Sequence, residues 1–236
     1  MSTQSGSGEQ QAENRIGMMI EKVMVGPPHE GEAGQGLMIC TNRGDIPAIL
    51  HAAEETTKAV VWVCGARGGF GGPGSGLYAE LAEELTNQGI TSLRMDYRHP
   101  NHIQECALDL VAGCNFLRAT GHGPPIVVGH SFGGAVVIAA GAVSDNIAGV
   151  VSLSPQTYGA QGAGMIAPKP LLVVHGKADT RLPFSCAVAI HDWAREPKEL
   201  VLYEGAEHRL DECREELGDL LRQWIPEHLP EVEPAE

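Results

Sequence analysis

The stretch PIVVGHSFGGAVVIAAGAV, Pro125 to Val143, decides the fold. Its first residues are apolar and β-branched, as in a strand shielded from water on both faces. From Ser131 to Val143 it is apolar nearly all round and rich in Gly and Ala, which predicts a helix buried against a sheet. Between the two, Gly129-His130-Ser131-Phe132-Gly133 places a GxSxG pattern at a strand-to-helix turn. A residue at the tip of so tight a turn tolerates only very small neighbours two places before and after it. Gly129 and Gly133 meet that demand, and Gly134 lets the helix pack closer still. The turn also sets Ser131 at a helix N-terminus, where free N–H groups and the helix dipole favour developing negative charge.

A serine hydroxyl is a poor nucleophile until a base takes its proton, and the base needs an acid to orient it. On a doubly wound sheet these partners follow in the order Ser, acid, His, on loops at one sheet edge. Asp179 stands in HGKADTRLP just beyond the predicted strand Leu171 to His175, and His208 stands in YEGAEHRL just beyond the predicted strand Glu199 to Tyr203. Taken singly, Asp179 could cap the helix starting near Ser185 and His208 could cap or flank the final helix. Their joint placement beside Ser131 is the more specific signal. His130 is expected to pack or bond next to the turn, and His175 to be a strand-end residue rather than the base.

The rest of the chain alternates in the same way. Strands are predicted at Arg15 to Val25, Asp45 to His51, Ala59 to Cys64, Ile90 to Asp96 and Ile147 to Leu153, with the first two as an initial pair. Leu77, Leu81 and Leu85 mark a helical face opposite Glu80, Glu83 and Glu84. Ile103, Cys106, Leu110, Cys114 and Leu117 mark a second, which makes both cysteines core residues. Helices are also expected at Ser185 to Arg195 and Leu210 to Ile225. This is an α/β pattern with a mostly parallel, doubly wound sheet and helices on both faces. One domain is expected over 15–225, between a polar tail at 1–14 and an acidic, Pro-rich tail at 226–236.

Composition narrows the function classes. Sixteen Lys and Arg against 30 Asp and Glu give a net charge of −14, so nucleic acid and anionic membrane surfaces are not expected partners. The six cysteines show no CxxC and no zinc-ligand spacing, and read as reduced side chains of a cytoplasmic protein. The first residues lack the pattern of a signal peptide. Glycine, at 30 residues, is the outlier, and seven of the twelve positions from Gly65 to Gly76 are Gly.

GHSFGG at Gly129 to Gly134, HGKAD at His175 to Asp179, GAEH at Gly205 to His208 and the glycine-rich loop after the AVVWVC strand together resemble the alpha/beta-hydrolase superfamily. Within it the chain is most similar to small capless dienelactone hydrolase-like and carboxylesterase-like serine hydrolases. The resemblance implies a catalytic triad of Ser131, Asp179 and His208, and an oxyanion hole made by the backbone N–H groups of Phe132 and Ala66. Arg67 is the nearest substitute for Ala66 and a candidate contact for a substrate carboxylate, together with Arg181, or else a solvated loop arginine. It implies a small-molecule ester, thioester or lactone as substrate, and no cofactor. Two features depart from it: dienelactone hydrolases proper use Cys where Ser131 stands, and Cys64-Gly65 replaces a frequent His-Gly. Only Ser154 to Lys169 occupy the place where caps are inserted, which implies an open site suited to small esters.

Two other readings of the same residues stand beside this one. Gly69-Phe70-Gly71-Gly72-Pro73-Gly74 satisfies GxGxxG after a strand, with Asp96 at the end of the next strand, as in an NAD-dependent oxidoreductase. Against it, Gly65 to Gly68 intervene between strand and motif, and the GxSxG turn goes unexplained. A hydrolase fold serving only as an interaction module is the other. Asp96, His99 and His102 form a loose cluster on a Pro-containing loop, and no metal is expected there.

Overall fold

The computed structural model describes residues 17–27 and 30–231. The tail expected at 1–14 lies outside the described residues. Among the described residues nine strands form a single sheet in the order β1-β2-β3-β5-β4-β6-β7-β8-β9. They are β1 (Ile20–Gly26), β2 (Gln35–Thr41), β3 (Gly44–His51), β4 (Ala59–Val63), β5 (Thr91–Met95), β6 (Ile126–His130), β7 (Gly149–Leu153), β8 (Leu171–Gly176) and β9 (Lys198–Tyr203). The first three pair antiparallel with each other and β3 pairs antiparallel with β5, whereas every pairing from β5 to β9 is parallel. Among the described residues five helices cross between them: α1 (Leu77–Asn87), α2 (Ile103–Ala119), α3 (Phe132–Val143), α4 (Ser185–Trp193) and α5 (Arg214–His228).

The central strands are apolar throughout because both of their faces are covered. Along β4, Val61 and Val63 point into a core with α2, α3 and α4, which includes Leu110, Leu117, Val136 and Ile190. Val60 and Trp62 point the other way, into a core built by Leu77, Leu81 and Leu85 of α1 and by Leu217, Leu221 and Trp224 of α5. Cys106 and Cys114 are fully buried on α2. Glu80 and Glu84 of α1 reach Arg214 and Arg222 of α5 at 2.7 Å each, fastening the two helices that share that core.

Two boundaries differ from expectation. An additional strand, β2, lies between the two expected first strands, so the sheet opens with three antiparallel strands rather than a pair. The final helix starts later than Leu210 and runs through Pro226 to His228, with Leu229 buried behind it. A proline in the last turn forfeits one backbone bond. The Trp224 and His228 rings stack across that turn at 4.0 Å, and His228 Nδ1 lies 2.9 Å from the Trp224 carbonyl oxygen. Residues 226–229, expected to open the acidic tail, are therefore part of the last helix and its packing, and 232–236 lie outside the described residues. Between Leu153 and Leu171 the chain makes one short 3-10 turn, Gln161–Met165, laid against α3. Among the described residues no helix is long and apolar enough to cross a membrane.

Candidate active site

The parallel strands β6, β8 and β9 end at one edge of the sheet, and the loops that leave them converge there. Ser131 follows β6 with φ 58° and ψ −117°, an unfavourable conformation for a residue with a side chain. The surroundings enforce it. Ser131 N–H donates to the Leu153 carbonyl on β7 at 2.7 Å, and Gly134 N–H returns to the Ser131 carbonyl at 3.0 Å. A Cβ on Gly129 would collide with the Gly133 carbonyl, and one on Gly133 with the Cys64 carbonyl. At Gly134 a Cβ would come within 2.8 Å of Ser152 Oγ.

Asp179 and His208 arrive on loops that are tied to each other. Ala178 N–H donates to the Ala206 carbonyl at 3.0 Å, and Glu207 accepts from the Thr180 N–H and hydroxyl at 2.9 and 3.0 Å. His208 Nε2 then lies 2.9 Å from Ser131 Oγ, and His208 Nδ1 lies 2.7 Å from Asp179 Oδ2. Asp179 Oδ1 accepts the N–H groups of Arg181 and Leu182 at 2.8 Å each. Burial opposes ionisation of this carboxyl. The N–H of Leu182, the His208 ring and the N–H of Arg181 outweigh it and hold Asp179 below the usual carboxylate range.

Two further histidines belong to this arrangement. His175, at the end of β8, is fully buried and sets Nε2 2.9 Å from the Oδ2 of Asp179 that also faces His208, and 3.1 Å from the Leu182 carbonyl. Both neighbours are acceptors, so Nε2 carries the proton. Nδ1 is buried without a partner, and burial pushes the imidazole down, keeping it neutral. His130 bonds across the site rather than locally: its Nε2 donates to the His208 carbonyl at 2.8 Å. Burial pushes His130 down to about 4. Neither contact follows from reading the residues singly. The four-residue step from His175 to Asp179, spanning a strand end and a turn, is the one trace of the first in the sequence.

The glycine-rich loop forms the opposite wall. Gly65 lies against Ser131, and the Ala66 and Phe132 N–H groups have no hydrogen-bond partner among the described residues. Below the loop, Asp96 Oδ1 accepts from Gly69 and Tyr97 N–H at 3.0 and 2.7 Å, and Tyr97 Oη donates to the Cys64 carbonyl at 2.9 Å. The acid that a dinucleotide reading assigns to a ribose is thus occupied in pinning this loop. Arg94, fully buried on β5, donates to the Phe70 carbonyl at 3.3 Å and to the Ala33 carbonyl at 3.2 Å, and pairs with Glu32 at 2.7 Å. Cys64 is buried, and desolvation pushes its thiol up to about 11, so it stays protonated at neutral pH. His99 and His102 lie away from this wall with ring centroids 6.4 Å apart. Among the described residues no group of three His, Cys, Asp or Glu is placed to hold a metal ion.

A cavity of about 340 Å³ opens between the two walls, lined by Ser131, His208, Ala66, Arg67, Arg181 and Arg209 among others. A hydroxyl in contact with an imidazole faces it, with a buried carboxylate behind that imidazole.

Comparison with known proteins places this fold. Two proteins named YfhR, from Escherichia coli O157:H7 and from strain K12, are each 29% identical to it over 121 residues. The match spans 49% of this chain and 41% of each relative. Among solved structures, a dienelactone hydrolase from Anabaena variabilis superposes with a TM-score of 0.72 at 19% identity, over 83% of this chain and 97% of that one. Est1E from Butyrivibrio proteoclasticus gives 0.69 at 19% identity over 83% and 99%. XC6422 from Xanthomonas campestris, a serine hydrolase without a lid, gives 0.67 at 20% identity over 88% and 100%. The model of the alpha/beta hydrolase family matches residues 60–235, from β4 to beyond α5, and the chain belongs to that family.

Proposed function

We propose that the protein is a serine hydrolase that cleaves a carboxylic ester, thioester or lactone through an acyl-enzyme. The observation that carries this reading is the unbroken series from Ser131 Oγ to His208 Nε2 at 2.9 Å and from His208 Nδ1 to Asp179 Oδ2 at 2.7 Å. Ser131 attacks the acyl carbonyl while His208 takes its proton, and Asp179 stabilises the imidazolium that results. The tetrahedral oxyanion is received by the N–H groups of Phe132 and Ala66. His208 then passes the proton to the leaving alcohol or thiol, and water, activated the same way, frees the acid and restores Ser131. The absence of a cap between β7 and β8 favours short or varied acyl groups over long buried chains. Six free cysteines suit a reducing cytoplasm.

A panel of acyl substrates on the wild type and Ser131→Ala tests the reading. Turnover that survives in Ser131→Ala excludes Ser131 as nucleophile. A serine-directed phosphonate should modify Ser131; an unmodified protein without ester turnover would point to a hydrolase fold used only for interaction.

A further inference from the structure

The charge of the cavity is opposite to that of the molecule. Acidic residues outnumber basic ones 30 to 16 in the chain, yet among the described residues no Asp or Glu lines the cavity at Ser131, and three arginines do: Arg67, Arg181 and Arg209. Each lies on a loop that also carries a group of the site. Arg67 follows Ala66 on the glycine-rich wall, Arg181 stands two residues after Asp179, and Arg209 follows His208. Arg209 is partly engaged by Asp211 at 3.3 Å. Arg67 and Arg181 form no ion pair among the described residues, unlike Arg94, Arg98, Arg214 and Arg222, which all do. In a chain with a surplus of carboxylates, two exposed guanidinium groups left without one at the mouth of a small cavity are available to a ligand.

We infer that the preferred substrate is a small ester or thioester that carries its own oxyanion, a carboxylate or a phosphate, close to the scissile carbonyl, and that Arg67 and Arg181 bind it. This rests on the serine hydrolase reading above. A guanidinium fork matches either oxyanion through paired N–H bonds, and a narrow cavity lined by one sign of charge concentrates ligands of the other. Because the arginines stand on both walls, the anion anchors the substrate across the cavity while the carbonyl reaches Ser131. The volume, at the low end for a small-molecule site, suits a short acyl group.

The test compares three p-nitrophenyl esters: hydrogen adipate, with a free carboxylate; its neutral methyl ester; and 4-phosphonobutanoate. Matched phosphonate inactivators with and without a terminal carboxylate give the same comparison without turnover. In the wild type at low salt, kcat/KM or the rate of Ser131 modification should favour at least one charged probe over the neutral one by about tenfold or more. The favoured arm identifies carboxylate or phosphate. The preference should collapse in Arg67→Gln/Arg181→Gln and shrink with added salt, while the melting temperature of that variant stays that of wild type. A charged-to-neutral ratio near one in the wild type, or a ratio unchanged in the double variant, overturns the inference and leaves the serine hydrolase reading intact. Failure of every probe to modify Ser131 overturns both.

Discussion

His175 Nε2 and His208 Nδ1 face the same oxygen of Asp179, and the 2.9 Å approach of His175 makes that carboxylate a shared acceptor between two imidazoles. A neutral donor there fixes the rotamer of Asp179 and withdraws part of its charge from His208. His175→Phe keeps the ring volume and removes the donor. The expected result is a kcat lower by about tenfold with KM little changed, because Asp179 loses a donor that holds it behind His208. His175→Gln, which can still donate, should restore much of the rate. A kcat equal to wild type in His175→Phe would reduce His175 to a packing role.

Asp179→Asn should lower kcat on the order of 10³- to 10⁴-fold while leaving residual turnover above background, since Ser131, His208 and the proposed oxyanion donors remain. The double variant with Ser131→Ala should be no worse than Ser131→Ala alone. Steady-state rates corrected for uncatalysed hydrolysis decide this.

Gly133→Ala drives a Cβ into the Cys64 carbonyl, and that oxygen is backbone, held by Tyr97 Oη. No flexible side chain can yield, so the end of β4 and the turn at Ser131 must separate. A loss of about 1–3 kcal/mol or more is expected, together with activity lost in the fraction that still folds. Gly26→Ala, whose Cβ would come no nearer than 4.0 Å to Gly36 O, should stay within about 0.5 kcal/mol of wild type. Urea unfolding of the two variants makes the comparison.

Acid should weaken the fold well above the range of carboxylate titration. Burial pushes both His51 and His130 from 6.5 down to about 4, with the charge of Arg94 adding to the effect at His51. The unfolded chain takes up these protons from about 6.5 downward and the folded chain only near 4. Their contribution is therefore complete above 6.5 and is lost as pH falls toward 4. His51 accepts the Arg94 Nε–H on Nε2 at 3.2 Å, a bond that the side-chain oxygen of Gln can accept instead. His51→Gln should thus show a smaller drop in urea midpoint between pH 7 and 4.5 than wild type. Equal drops would remove His51 from this account.

What could be read from the sequence was whatever is local to the chain. The turn at Ser131 is dictated by steric limits two residues either side of it, and the parallel strands announce themselves as β-branched runs. β2 was hidden because Gln35–Thr41 follows a run of Gly and Glu that interrupts any alternation, and its pairing with β1 and β3 is set by tertiary contact. His175 and His130 escaped for a related reason. Their partners lie on other loops or behind a turn, and an isolated histidine in a strand end is chemically silent until the fold supplies its neighbour. The three arginines lie 114 and 28 residues apart in sequence, and only the convergence of three loops gives them a common cavity.

Arg94 sets a limit on how far this protein can be pared down. Every group proposed for chemistry lies after β4, so a minimal enzyme lacking the first two strands would look complete on paper. It would lose Glu32 and the Ala33 carbonyl, and a guanidinium buried in the full chain would keep only two neutral acceptors, the Phe70 carbonyl and His51 Nε2. The wall proposed to receive the oxyanion would then rest on a charge without its carboxylate. The opening strands, remote from the reaction, are in that sense a foundation of it.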